Sequence, residues 1–265
     1  MKKWLCKSVV LGGLLMTAFL VAVTPRSDKE IIAENEVEIG GSSQTVPGNL
    51  QRAIYIYQLK QWLSTEAVQG MLQASANSSG TVFYSMDTVK EFTASAPGID
   101  LRHHIVSSYL VGYVPFETKN IWVPWLTLSR RKMYQTDKIT YKGRKDVWQN
   151  SKQAYTLPRG DCEDHALSLA DWLISMGQDA RVVLGTYKGT GHAWVILFRE
   201  GKEYLLEATQ KTGFNQMKSL PLASYYPDYR PMYMFNRKCF WKNYGSSLTT
   251  RYNSSDWKKK SIYSL

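Results

Sequence analysis

Cysteine is scarce in this chain: three in 265 residues, at positions 6, 162 and 239. That excludes a disulfide-dense small scaffold, and a domain of this length does not need a bridge to hold its fold. Histidine is nearly as thin, with four residues. Cys162 and His165 form a C-x-x-H step, but no second Cys or His pair completes a zinc site. Acid is outnumbered, with 22 Asp and Glu against 33 Lys and Arg and a net charge of +11. Zinc-finger spacing, a recognition helix and an RNA-binding motif are all missing, which argues against nucleic acid as a partner. No internal repeat or low-complexity tract runs through the chain, so a repeat architecture is excluded.

What is present begins with a targeting pattern. Lys2, Lys3 and Lys7 precede an uncharged apolar run from Ser8 to Thr24. Residues 1–24 therefore read as a signal peptide or an N-terminal membrane anchor. The run is at the short edge of the roughly 17–25 residues that span a bilayer. No clean A-x-A site follows, so cleavage and retention both stay open. Either outcome predicts an exported protein of the periplasm or cell envelope, with the membrane as a partner through residues 8–24 if the anchor is kept. Cys6 lies before the apolar run, unlike a lipoprotein cysteine. Taking away the three leader lysines lowers the charge from +11 to +8. The basic runs SRRK, KGRK and KKK either meet an acidic envelope surface or form a solvated face.

Residues 25–48, polar and holding Gly40, Gly41 and Pro47, read as a linker. A helical flank is expected over 49–95. Leu50, Ala53, Ile54, Tyr57, Leu59, Trp62 and Leu63 recur at spacings of three and four. A second short helix is expected over Ala67–Ala74, a turn at ANSSG, a strand at TVFYSM and a helix at DTVKEF capped by Asp87. Pro115 and Pro124 exclude SSYLVGYVPF and IWVPWLTL from the regular central elements. From residue 146 the pattern sharpens. Ala166, Leu169, Ala170 and Leu173 form the buried stripe of a helix from Asp161 to Met176, ended by Gly177. ARVVLGTY, HAWVILF and EYLLEAT follow as strands, an α+β arrangement.

Cys162 is flanked by Asp161, Glu163 and Asp164, and like charge raises a thiol's pKa. Against that, Cys162 sits in the first turn of its helix, where unsatisfied N–H groups and the dipole favour an anion. A hairpin turning on Glu200 and Gly201 sets Trp194 opposite Glu207 and His192 opposite Thr209. Glu207 is then the diagonal neighbour of His192 on one sheet face, about 7–8 Å away between backbones. A one-residue slip would leave Glu207 a surface carboxylate on the other face. In the first register His192 and Glu207 form the base-and-orienter pair that a cysteine nucleophile requires.

GDCED opening a helix, GHAWV opening a strand and LLEAT on the next resemble the transglutaminase-like superfamily. Within it the similarity is to bacterial transglutaminase-like cysteine peptidases, the branch that includes the periplasmic biofilm-adhesin protease. The lead-in Asp146-Val147-Trp148-Gln149, with Thr156 and Gly160, resembles the approach to the nucleophile there. The resemblance covers about residues 97–210. It implies a papain-like, transglutaminase-like catalytic domain over 96–265, with the nucleophile helix packed on an antiparallel sheet. Cys162 would be the nucleophile, His192 the general base and acid, and Glu207 the orienting carboxylate, where the family more often has Asp. The implied activity is hydrolysis of a peptide or isopeptide bond of a protein substrate through an acyl-enzyme. Passing the acyl group to a lysine amine instead would make a transamidase, and a non-catalytic envelope-binding module is the reading of a different class. The chemistry requires no cofactor. In the adhesin-protease branch the acids beside the cysteine hold calcium, and Asp161 and Glu163 match those positions. Two carboxylates are too few for a full shell, so other oxygens must complete it. Trp148 and Gln149 either line the cleft or supply an oxyanion donor, with packing an equal role for Trp148. The run YYPDYRPMYMF either walls a substrate groove or packs in an aromatic core. His103 and His104 read as surface or loop residues, and Cys239 as buried and inert.

Overall fold

The computed structural model describes residues 36–39, 42–45, 52–74 and 80–264. The expected targeting segment at 1–24 lies outside them, as do most of 25–48 and the turn residues 75–79. Strands β1 (Glu36–Ile39) and β2 (Ser42–Thr45) pair as an antiparallel ribbon within the expected linker. Next come β3 (Ala53–Ile56), β4 (Gln61–Ser64), α1 (Thr65–Ala74), β5 (Val82–Met86), β6 (Val89–Pro97) and β7 (His103–Ile105). Helix α2 (Trp122–Arg131), the short β8 (Met133–Tyr134), α3 (Asp137–Thr140), α4 (Ser151–Thr156) and β9 (Arg159–Gly160) lead to α5 (Cys162–Ser175). Strands β10 (Asp179–Tyr187), β11 (Thr190–Arg199), β12 (Lys202–Leu206), β13 (Tyr229–Phe235), β14 (Cys239–Asn243) and β15 (Trp257–Ser264) follow.

Eight strands build one antiparallel sheet in the order β12-β11-β10-β13-β14-β15-β3-β4. The class is α+β, with few helices around a large sheet. Helix α5 lies across β10 and β11. Its stripe of Ala166, Leu169, Ala170 and Leu173 is fully buried against Ala180, Val182, Val195, Leu197 and Phe235. The residues between these in the strands, Val183, Trp194, Ile196 and Met234, fill a second core on the opposite face. This is the period-two alternation of a sheet covered on both sides. The helix stops at Gly177, whose φ of +78° is the left-handed conformation that glycine adopts without a Cβ clash. β11 and β12 turn through Glu200 and Gly201 and pair Val195 with Leu206 and Arg199 with Lys202. That is the expected register.

Three expectations fail, each for a local reason. Residues 50–63 are not helical: β3 and β4 pair with each other, and β3 also pairs with β15. Ala53, Ile54, Tyr55 and Ile56 are buried on both faces, so no alternation survives to mark a strand. The β-branched and aromatic run itself was the better signal. The stretch 49–95 is thus not a helical flank but mostly strand, and β3 and β4 form an edge of the main sheet. Its helical part is α1, which covers the expected Ala67–Ala74. DTVKEF likewise turns into β6, paired with β5, which takes up the expected TVFYSM strand. Finally, Pro124 lies inside α2 rather than excluding it. It is the third helical residue after the N-cap Ile121, where the N–H that proline lacks has no helical partner anyway. No helix among the described residues is long and apolar enough to cross a membrane.

Candidate active site

Cys162 is the first residue of α5, so its backbone N–H is among those left free by the helix start. The N-cap Asp161 is extended and makes no capping bond from its side chain, which leaves that end open. The short β8–β9 pairing lays Tyr134 beside Gly160, immediately ahead of the cysteine. Cys162 then opens onto a cleft of about 490 Å³ shared with Phe83, Tyr134, Trp148, Gly191, His192 and Tyr233.

His192 enters this cleft from the start of β11. Its Nε2 lies 2.8 Å from Glu207 Oε2, just past the end of the β12 ladder. Burial alone would lower the imidazole's pKa. Hydrogen bonding to Cys162 and Glu207, with the Glu207 charge, outweighs it and pushes the pKa up to about 9. With Nε2 on the carboxylate, Nδ1 is the nitrogen left for the sulfur. Burial would raise the pKa of Glu207, but His192, Thr209 and Tyr229 bring it down to about 2. Its Oε1 accepts from the Thr209 N–H at 2.9 Å and hydroxyl at 2.6 Å, and its Oε2 also accepts from the Tyr229 hydroxyl at 2.7 Å. The Glu207 carbonyl takes the Trp125 indole N–H at 2.9 Å. Both ends of the residue are anchored, and its charge is fully satisfied.

The other side of Cys162 is unlike this. Glu163 and Asp164 are buried, and Glu163 Oε2 lies 3.3 Å from the sulfur. Sequence reasoning paired Asp161 with Glu163 alone, whereas the fold adds Asp137, Asp146 and Asp164. Carboxylate oxygens of Asp137, Asp146 and Glu163 lie within 4.8 Å of one another, and so do those of Asp137, Asp161 and Asp164. Burial, then the neighbouring negative charges, raise the pKa of Glu163 well above the usual carboxylate range. Asp137 is pushed up to about 7 by burial and Asp161. Nearby, the buried Lys132 ammonium donates to Gln149 Oε1 and the Arg159 carbonyl, each at 3.0 Å. Burial draws its pKa down to about 8 against the pull of Asp164 and Asp161. Gly160 is required here, because a Cβ would strike Asp164 and Lys132. Asp137 Oδ1, Asp161 Oδ1 and Asp164 Oδ2 are buried without a hydrogen-bond partner.

The two proposed oxyanion donors are already engaged. The Trp148 ring lines the cleft, but its Nε1 donates to Asp146 at 2.9 Å. Gln149 is fully buried, and its amide donates to the Tyr141 hydroxyl and the Arg159 carbonyl. The Cys162 backbone N–H, at the helix start, has no acceptor within the helix. His165 is buried one turn along α5, its pKa brought down to about 3 chiefly by burial, so it is neutral. His103 is buried rather than superficial, within hydrogen-bond distance of Ser95, whereas His104 is half-buried and pairs with Asp100. In the YYPDYRPMYMF run Met234 and Phe235 are core, as one expectation had it, while Met232 and Tyr233 line the cleft. Cys162 and Cys239 are free thiols. Cys239 is partly buried, and burial raises its pKa.

This assembly of a helix-start cysteine and a strand histidine falls within a segment that has a counterpart elsewhere. Residues 146–264 match the CEP76 peptidase-like domain. The matched segment carries Cys162, His192 and Glu207. The chain is also 36% identical over 61 residues to Protein CC2D2B of Homo sapiens, a stretch covering 23% of this chain and 4% of that protein. A solved structure of a candidate cysteine protease from Cytophaga hutchinsonii aligns with 14% identity and a TM-score of 0.30, over 42% of this chain and 37% of that one. The matched segment omits Thr81, Phe83, Tyr134 and Asp137, although all four take part in the cleft or its acid cluster.

Thr209, Tyr229, Asp137 and Lys132 were not singled out as site residues in the sequence. Tyr229 and Asp137 approach from distant positions with no local motif. Thr209 had a usable signal, a hydroxyl two residues beyond the carboxylate.

Proposed function

We propose that this protein is an exported transglutaminase-like cysteine peptidase that cleaves a peptide or isopeptide bond of a protein substrate. The observation that carries the reading is the convergence of Cys162, at an open helix start, with a His192 held by Glu207 at 2.8 Å. The Cys162 thiolate attacks the substrate carbonyl carbon, and the oxyanion is received by the free N–H groups of the first turn of α5. His192, as imidazolium, gives its Nδ1 proton to the leaving amine as the C–N bond breaks. In the second half His192 takes a proton from water, whose oxygen attacks the thioester carbonyl, and the thiol leaves with the carboxylate product formed. Glu207 keeps the ring oriented and its positive form favoured throughout. If a lysine amine replaces water in that second half, the product is a cross-link.

Calcium belongs to the same reading. Hard carboxylate oxygens that are buried and unpartnered suit such a cation, and Asp137, Asp161 and Asp164, with Asp146 and Glu163, would hold it. When bound, it would supply positive charge that offsets the acids around the thiolate.

One observation favours a non-catalytic binding module instead: the Cys162 thiol donates to Glu163 Oε2 at 3.3 Å, a contact that holds the sulfur in its protonated form. Alkylation with iodoacetamide at neutral pH separates the two. Selective labelling of Cys162 that is lost in His192→Ala supports the peptidase. Equal, slow labelling of Cys162 and Cys239 discards it. Trapping with Cys162→Ser in native envelope extract, followed by mass spectrometry, identifies the substrate.

A further inference from the structure

We propose that Tyr229 is a positioning residue, its hydroxyl fixing Glu207 on His192. The idea rests on the reading of Cys162 and His192 as nucleophile and base, and it addresses how a glutamate can serve as the third member. Glutamate has one more rotatable bond than aspartate, so its carboxylate has more freedom to leave the imidazole. Here that freedom is removed oxygen by oxygen. Thr209 occupies Oε1 with two donors, while Oε2 bridges His192 at 2.8 Å and Tyr229 at 2.7 Å. A rotation of the carboxylate that released His192 would break the Tyr229 and Thr209 bonds together.

The tyrosine is itself rigidly placed. It opens β13 and pairs across the ladder with Tyr187, the last residue of β10. Its ring lies 4.4 Å from that of Tyr187 and packs edge-on against Trp194 at 5.2 Å, and the residue is 5% exposed. Burial and the adjoining Glu207 charge push the phenol's pKa up, so it stays a donor. The same aromatic group, with the His192 ring 6.0 Å from Tyr229, screens the imidazole–carboxylate bond from water.

A ring that merely packs would serve equally well as phenylalanine, which sets the test. Tyr229→Phe keeps the ring and deletes one oxygen. Its alkylation of Cys162 by iodoacetamide at neutral pH should fall about tenfold. The downfield NMR signal of the His192 Nε2 proton should move upfield and broaden by exchange with water. In a Glu207→Gln background, Tyr229→Phe should change neither reading further. No change in the first background, or an equal change in both, overturns the proposal, with melting curves confirming that each variant is folded. The NMR arm does not depend on chemistry at Cys162. Labelling that ignores His192→Ala would therefore sink the peptidase reading while leaving the Tyr229 result to stand or fall separately.

Discussion

On one side of Cys162 the Glu207 carboxylate takes four hydrogen bonds and sits with its pKa near 2. On the other, five carboxylates cluster, three of them acting on the Lys132 charge, with oxygens left unpartnered. The first grouping is complete in the protein alone, since each negative oxygen has its donors. The second is not, and the rise of Asp137 from its ordinary 3.8 to about 7 measures how poorly it tolerates its own charge. The difference is that Cys162 lies between a carboxylate whose oxygens all have donors and a cluster of carboxylates whose oxygens do not.

The sharpest way to break this comparison is to remove the finished side. His192→Ala should lower peptide hydrolysis on the order of 10⁴-fold, and Glu207→Gln by a comparable or smaller factor, with folding retained. Steady-state rates on any cleavable peptide check both, and a change below threefold would end the triad assignment. The next effect concerns the unfinished side. Calcium at about 100 times its dissociation constant should add about 2.7 kcal/mol, read as a rise in melting temperature of roughly 5–10 °C that a chelator reverses. Identical melting with calcium and with chelator would remove the metal from the account.

Acidity should act on the two sides with opposite sign. Glu207 is depressed to about 2, so its stabilisation is present above its ordinary 4.5 and is lost as pH falls toward 2. His192 is raised to about 9, so its share is full below 6.5 and disappears as pH rises through 9. Asp137 is raised instead, so without metal its ionisation costs stability increasingly from about pH 4 until pH passes 7. Asp137→Asn should therefore gain on the order of 1 kcal/mol over the unaltered protein at pH 8 in chelator, and lose much of the calcium-induced shift. Denaturant titrations at pH 4 and 8 read this directly; a destabilised variant at both would show that Asp137 is only structural. The smallest effect is a control remote from either side. Gly177→Ala should cost about 1 kcal/mol through its positive φ and leave Cys162 labelling untouched.

The parts legible in the sequence were those whose signal is local. The stripe Ala166, Leu169, Ala170 and Leu173 with Gly177 gave α5, and a two-residue turn at Glu200 and Gly201 was enough to bring Glu207 to His192. β3 was misread because its four residues are buried on both faces, and a three-and-four spacing can arise there by accident. Pro124 misled because its effect depends on position within a helix, and Asn120, whose side chain accepts the Trp122 N–H at the helix start, was not used as a start signal. Asp161 and Glu163 declared themselves beside the cysteine, but Asp137 reaches them only through the loop that ends at Val147, whose N–H it accepts. Tyr229 joins Glu207 through the β10–β13 pairing, a relation no short motif encodes.

The place of β15, between β14 and β3, bears on how the molecule comes into being. During translation Ala53–Ile56 emerges early, while the strand it must zip onto, Trp257–Ser264, is made far later. Until then Ile54, Tyr55 and Ile56 offer an unsatisfied sticky edge to any chaperone or nascent neighbour. Completion of the central sheet on the β3 side is thereby timed to late synthesis.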